Sequence, residues 1–184
     1  GTKGRVVEML DHIAGENDPE LVSLLKADFE KRGVVFDLGA KVTAVEGDGV
    51  RFEKNGESLL AQADLVLLSI GRRANTRDIG LESINVMTQR GGIVVDDRMR
   101  TNQPGVYAAG DVTGYSMLAH TAYREAEVAV NDMLGLDDRM RYDAIPAVIY
   151  TNPELASVGE TEQSAKSKGL PYHTVKLPMR FSGR

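Results

Sequence analysis

Asp18-Pro19-Glu20-Leu21-Val22-Ser23-Leu24-Leu25-Lys26-Ala27-Asp28-Phe29-Glu30-Lys31-Arg32-Gly33-Val34-Val35-Phe36 reads as a helix that runs directly into a strand. Asp18 has the side chain of an N-cap, and Pro19 suits the first helical position, where an N–H would go unused. Leu21, Leu24, Leu25 and Phe29 recur at helical spacing, Lys31 and Arg32 fall in the last turn, and Gly33 stops the helix. Upstream, Arg5-Val6-Val7-Glu8-Met9-Leu10 is a short apolar run carrying an acid, which predicts a buried strand. Strand, helix, strand is the unit of a parallel sheet.

Downstream, Lys41–Val45 meets Val50–Glu53 across Gly47-Asp48-Gly49, and Ser58–Ala61 follows Asn55-Gly56. This pattern predicts a β-meander of hairpins. Leu65–Ile70 is a continuous apolar run, which predicts a strand buried on both faces, and Ile93–Val95 follows Gly91-Gly92 as another short strand. A helix is expected from about Met117 to Leu134, ended by Gly135, with Ala122, Ala126 and Ala129 on one closely packing stripe. Residues 136–144 are charged and irregular and mark a candidate boundary; strands at 147–150 and 172–177 around a helix at 162–168 are expected beyond it. The chain opens on a strand without its preceding turn and stops at Ser182-Gly183-Arg184, just after a strand, so an internal piece of a longer protein is expected.

The composition narrows the chemistry. A net charge of −5 with basic and acidic residues interspersed argues against a general nucleic-acid or acidic-membrane partner. No apolar run reaches the roughly 20 residues of a membrane span. There is no cysteine, which removes disulfides, cysteine zinc sites and thiol catalysis from this chain, and three scattered histidines argue against a metal site.

The most specific string is Thr101-Asn102-Gln103-Pro104-Gly105-Val106-Tyr107-Ala108-Ala109-Gly110-Asp111. A carboxylate at the end of a buried strand can accept hydrogen bonds from a polyol, and the glycine before it lets a ligand approach the backbone. By itself the string could also be an ordinary Gly-Asp turn. Glu8 closes the first strand, where an acid either accepts both hydroxyls of an adenosine ribose or sits in solvent. Met117-Leu118-Ala119-His120 marks a helix start whose free N–H groups favour negative charge, while the His120 side chain is satisfied by local packing in the simpler reading.

The 101–111 string resembles the second FAD-binding motif of the class I pyridine nucleotide-disulfide oxidoreductase family. Ser69-Ile70-Gly71-Arg72-Arg73-Ala74-Asn75-Thr76 is similar to that family's signature at the exit of its NAD domain, with Ala74 where proline is common. Pro146-Ala147-Val148-Ile149-Tyr150-Thr151-Asn152-Pro153-Glu154-Leu155-Ala156-Ser157-Val158-Gly159 resembles the opening of its dimerisation domain. One departure is Gly4-Arg5, where members usually carry β-branched residues.

The resemblance implies an α/β fold. Its expected parts are a truncated Rossmann-like NAD-binding domain with a β-meander (1–74), a remainder of the NAD/FAD region with the second FAD motif (75–143), and the start of an α+β dimerisation domain (144–184). It implies that Asp111 holds the ribitol of FAD and that backbone N–H groups of Met117, Leu118, Ala119 and His120 face the flavin. Gly71 would let the nicotinamide half of NAD approach, Arg72 would serve loop structure or binding, and Glu8 would hold the NAD ribose while repelling a 2′-phosphate. The Leu-Ala-His and Tyr-Thr-Asn-Pro-Glu strings favour the branch that oxidises protein-bound dihydrolipoyl groups with NAD, with mercuric reductases and NAD(P) transhydrogenases as alternatives. A redox-inert module that dimerises or weakly binds a nucleotide is a further alternative. A homodimer, a lipoyl-bearing partner of a 2-oxoacid dehydrogenase complex and a cytoplasmic or mitochondrial matrix location are implied with it. The family's cysteine pair, its C-terminal His-Glu pair and its two GxGxxG turns have no counterpart in this sequence, so no catalytic residue is assigned and the chain alone is expected to be inactive.

Overall fold

The computed structural model describes residues 2–178; the last part of the expected dimerisation segment, Met179–Arg184, lies outside the described residues. Two compact units are present, one formed by residues up to Leu68 together with those from Val148 on, the other by Ser69–Ala147. The fold is mixed α/β.

In the first unit, β1 (Arg5–Val7) and β2 (Val35–Asp37) pair in parallel, with Arg5 opposite Val35, and α1 (Pro19–Lys31) connects them. Asp18 caps α1 as its chemistry dictates, its carboxylate accepting the Glu20 N–H at 2.9 Å. At the other end Val34 N–H donates to Phe29 O and Gly33 N–H to Glu30 O, which closes the helix and delivers the chain into β2. The buried residues of α1 are Val22 and Leu25, packed with Leu155 and partly buried Phe29. Leu21 and Leu24, expected on that face, are exposed, so the buried stripe is rotated from the one the leucines suggest. Strand β1 stops at Val7, three residues short of the expected run.

The meander forms as its turn residues demand. β3 (Lys41–Glu46), β4 (Gly49–Lys54) and β5 (Glu57–Gln62) make an antiparallel sheet, and Asn55 and Gly56 at φ 53° and 82° form the two-residue turn between the last two. Phe52, 0% exposed, is its centre, enclosed by Ala40, Ala61 and Val7. From the C-terminal stretch, β8 (Ala147–Ile149) pairs with β9 (Leu155–Ser157), and a short α3 (Glu162–Ser167) follows.

Two expected strands are corrected. Leu65–Ile70 is irregular, with Leu65 and Leu67 both 91% exposed. Tyr172–Leu177 is likewise unpaired, with Val175 exposed. An apolar run becomes a strand only when neighbours accept its backbone groups, and among the described residues none pairs with either segment.

In the second unit, β6 (Thr88–Gln89) and β7 (Gly92–Ile93) form a short hairpin, and α2 runs from Ala119 to Met133. Its core joins Val86, Ile93, Val95, Met99, Ala108, Val128, Ala129 and Met140. β7 passes so close to the 3-10 turn Asp111–Thr113 that a Cβ on Gly92 would stand 2.4 Å from the Thr113 carbonyl oxygen.

Phe52→Ala is expected to lower stability by about 3–5 kcal/mol through the cavity left in the meander. Urea unfolding followed by circular dichroism measures it; a loss under about 1 kcal/mol would mean the small sheet does not depend on this ring.

Candidate functional site

The 101–111 string folds as a loop and short extended segment ending in a sharp turn. Thr101 and Val106 close the loop: Thr101 N–H donates to Val106 O at 2.9 Å, and Gln103 N–H donates to the Thr101 hydroxyl. Tyr107 bridges back to Arg100 in antiparallel fashion. The Tyr107 hydroxyl then donates to Asp132 on α2 at 2.7 Å. Arg100 grips the same carboxylate with Nε at 2.6 Å and Nη2 at 2.5 Å, and Arg98 adds a second cation at 3.3 Å. These donors, Arg100 and Tyr107 foremost, hold the Asp132 carboxyl down to about 2. The string's aromatic residue therefore anchors the segment to α2.

Asp111 follows Gly110, whose φ of 84° and ψ of −159° suit glycine alone. The close approach of α2 adds a second demand, since a Cβ on Gly110 would lie 3.3 Å from Ala122 Cβ. The two peptides flanking the Gly110 Cα are each held. Gly110 N–H donates to Glu125 Oε2 at 2.5 Å, and Gly110 O accepts from both the backbone N–H and the hydroxyl of Thr113 at 2.9 Å. Asp111 itself is exposed, and its carboxylate has no hydrogen-bond partner among the described residues.

The helix after it starts two residues later than expected. Leu118 is the N-cap and offers no side-chain hydrogen bond; Met117 precedes the helix, and Ala119 and His120 occupy its first turn. The His120 ring nitrogen Nε2 lies 2.8 Å from Pro146 O. Asp111 and residues 117–120 thus belong to one turn-and-helix arrangement. Gly71 lies on an exposed, irregular segment of the same unit at φ 113°. Glu8 belongs to the other unit and follows the C-terminal end of β1, where its Oε1 accepts the Leu10 N–H at 2.8 Å. Arg5 is turned to Asp37, 2.7 Å away, and that ion pair holds the Asp37 carboxyl below its usual range. No group of acids and histidines able to hold a metal is present among the described residues.

Sequence reading missed the acids beneath this site. The buried residues of α2 are Thr121, Glu125, Val128, Ala129 and Asp132, while Ala126 of the expected alanine stripe is exposed. An apolar pattern search passes over a face with two carboxylates. The signal available was position: residues 121, 125, 128 and 132 share the helix face of Val128.

The profile of the family described as pyridine nucleotide-disulphide oxidoreductase matches residues 1–126, more than half of the chain. The chain belongs to that family. A second profile, the dimerisation domain of the same family, matches residues 145–184. Among curated relatives, a dihydrolipoyl dehydrogenase of Chlamydia muridarum is 41% identical over 100% of this chain and 40% of its own length. A leghemoglobin reductase of Glycine max is 38% identical over 100% of this chain and 36% of its own. The crystal structure of LpdA from Mycobacterium tuberculosis superposes with a TM-score of 0.86 at 30% identity, covering 98% of this chain and 40% of that one. The chain therefore spans about 40% of the length of such relatives. Among the described residues no helix is long and apolar enough to cross a membrane.

Because the folded Asp132 carboxyl titrates near 2, below the roughly 3.9 of an unfolded aspartate, its contribution is present above about pH 4 and lost as pH falls toward 2. Asp132→Asn is expected to melt lower than the parent at pH 7, with the gap narrowing through that window. Thermal melts at successive pH values measure it; a gap constant from pH 7 to 2 would remove Asp132 from the acid response.

Proposed function

We propose that this chain is the segment of a dihydrolipoyl-oxidising flavoenzyme that supplies secondary contacts to FAD and NAD. The observation that carries the reading is the exposed, unpartnered Asp111 carboxylate on a turn built against α2, within the string that resembles the family's second FAD motif. A polyol needs an acceptor without a competing protein donor, and Asp111 has that property among the described residues. The N-terminus of α2, without a side-chain cap, fits the flavin's electron-rich end. Bound FAD would supply the electron relay between a dithiol and NAD.

The chain's own residues would bind and orient. Asp111 accepts from the ribitol, and backbone N–H groups from Met117 to His120 stabilise negative charge beside it. Glu8, steadied by the Leu10 N–H, accepts from the NAD ribose and repels a 2′-phosphate. Gly71 leaves room for the nicotinamide half. The thiol chemistry has to come from elsewhere, because no cysteine is present and a disulfide is neither attacked nor released without a thiolate. On this reading residues 1–74 belong to a Rossmann-like NAD domain, 75–143 to the NAD/FAD region, and 144–184 open a domain that pairs two copies. The reducing substrate is a lipoyl-bearing protein of a 2-oxoacid dehydrogenase or related complex, in the cytoplasm or mitochondrial matrix. The relative named for leghemoglobin favours a second reading, in which a haem protein takes the electrons.

In the complete enzyme, Asp111→Ala removes a charge-assisted hydrogen bond of about 1.5–3 kcal/mol and is expected to lower flavin occupancy, with excess FAD restoring part of the activity. Full occupancy in that variant would remove Asp111 from the site. Glu8→Gln is expected to raise the KM for NADH and relax discrimination against NADPH; unchanged kinetics with both would exclude a ribose contact. The 184-residue chain alone is expected to be colourless and without diaphorase activity, since these secondary contacts cannot hold a dinucleotide without a GxGxxG turn for its pyrophosphate, which this sequence lacks. Stoichiometric flavin in it would contradict that.

A further inference from the structure

Glu125 is 0% exposed, yet it is a carboxylate in the middle of α2. An ionised acid there carries a desolvation cost that only donors can offset. Two do so, and they come from separate parts of the unit. Gly110 N–H donates to Oε2 at 2.5 Å, and the Tyr142 hydroxyl donates to Oε1 at 2.6 Å. Burial and the nearby carboxylate push the Tyr142 hydroxyl up, so it remains protonated and donating at neutral pH. Its ring lies against Tyr115, centroids 5.3 Å apart, just after the 3-10 turn that opens at Asp111.

The bond falls on the Ala109–Gly110 peptide, at the entry to the glycine whose dihedrals set the direction of Asp111. With Thr113 holding the carbonyl side, Glu125 is what fixes the amide side in a conformation open only to glycine. Without it, the buried Gly110 N–H would be orphaned and the Ala109–Gly110 peptide would rotate toward a partner, changing the Gly110 dihedrals and with them the direction of the Asp111 carboxylate. Tyr142 lies in the irregular stretch just ahead of the residues that match the dimerisation profile.

We propose that Glu125 is a positioning residue of the flavin site: it holds the Asp111 turn in its presenting conformation, and through Tyr142 it makes flavin retention depend on the segment leading into residues 145–184. The inference rests on the reading of Asp111 as a flavin contact.

The test is a double-mutant cycle in the complete enzyme, stripped of flavin and titrated with FAD by fluorescence quenching. Asp111→Ala is expected to weaken FAD about ten- to a hundredfold, and Glu125→Ala about tenfold. The double variant should bind within about twofold of Asp111→Ala alone, because Glu125 acts through that carboxylate. Glu125→Gln should recover most of the affinity, its amide oxygen accepting from Gly110 while its NH2 donates to the Tyr142 oxygen. Tyr142→Phe should weaken FAD by about threefold or more, again without effect on an Asp111→Ala background. Additive losses, or wild-type affinity in both Glu125→Ala and Tyr142→Phe, would overturn the inference while leaving the flavin reading intact. No effect of Asp111→Ala would overturn the flavin reading, and the inference with it. If Glu125→Ala does not fold, the Tyr142→Phe cycle decides between the same outcomes.

Discussion

Helix α2 buries acids, and the second unit is arranged to satisfy them. Asp132 and Glu125 stand on one helix face, two turns apart, and both are enclosed. Each must find donors, since a buried carboxylate left unpaired is among the most destabilising features a fold can contain. The donors are drawn almost entirely from residues 98–110 and from Tyr142. That requirement sets where the Tyr107 segment crosses the helix and where the turn after it points. Apolar packing of Val95, Met99, Ala108 and Val128 fills the same interface, but packing is non-directional and would tolerate small shifts. The carboxylates fix the position.

Features decided within a few residues were legible in the sequence. Asp18-Pro19 starts α1, Gly33 ends it, and Asn55-Gly56 folds back the meander, because caps and tight turns depend on local sterics and local hydrogen bonds. The parallel pairing of β1 with β2 was legible too, as it follows from the order strand, helix, strand. Leu65–Ile70 was not. Its composition specifies apolar surroundings, but a strand also needs partners for its N–H and C=O groups, and partners are a property of the whole sheet. The exposed Leu21 and Leu24 make the same point for α1: spacing defines a stripe, and the neighbours present decide which part of it is covered.

The candidate site divides along a similar line. Gly110 and Asp111 stand out in the sequence because a glycine followed by an acid closes a short, ordered string. Glu125, Asp132 and Tyr142 do not, since charged and hydroxyl side chains are normally assigned to the surface and nothing in the local sequence shows that their faces are covered. The alanine stripe misled in a related way. Ala122 does meet the turn closely and Ala129 is buried, but Ala126 looks outward, and the position between them on the buried face is taken by Glu125.

A turn pinned on both sides of Gly110 has a consequence for binding. A carboxylate on a mobile loop must be ordered when its ligand arrives, and that entropy is subtracted from the contact. Before Asp111 the backbone is held by hydrogen bonds from Gly110 N–H to Glu125 and from Thr113 to Gly110 O, which lowers the backbone entropy left to lose on binding. The desolvation of Glu125 is incurred on folding, not on binding. If Asp111 is the flavin contact proposed above, the buried acid beneath the turn reduces the ordering cost of that contact on binding.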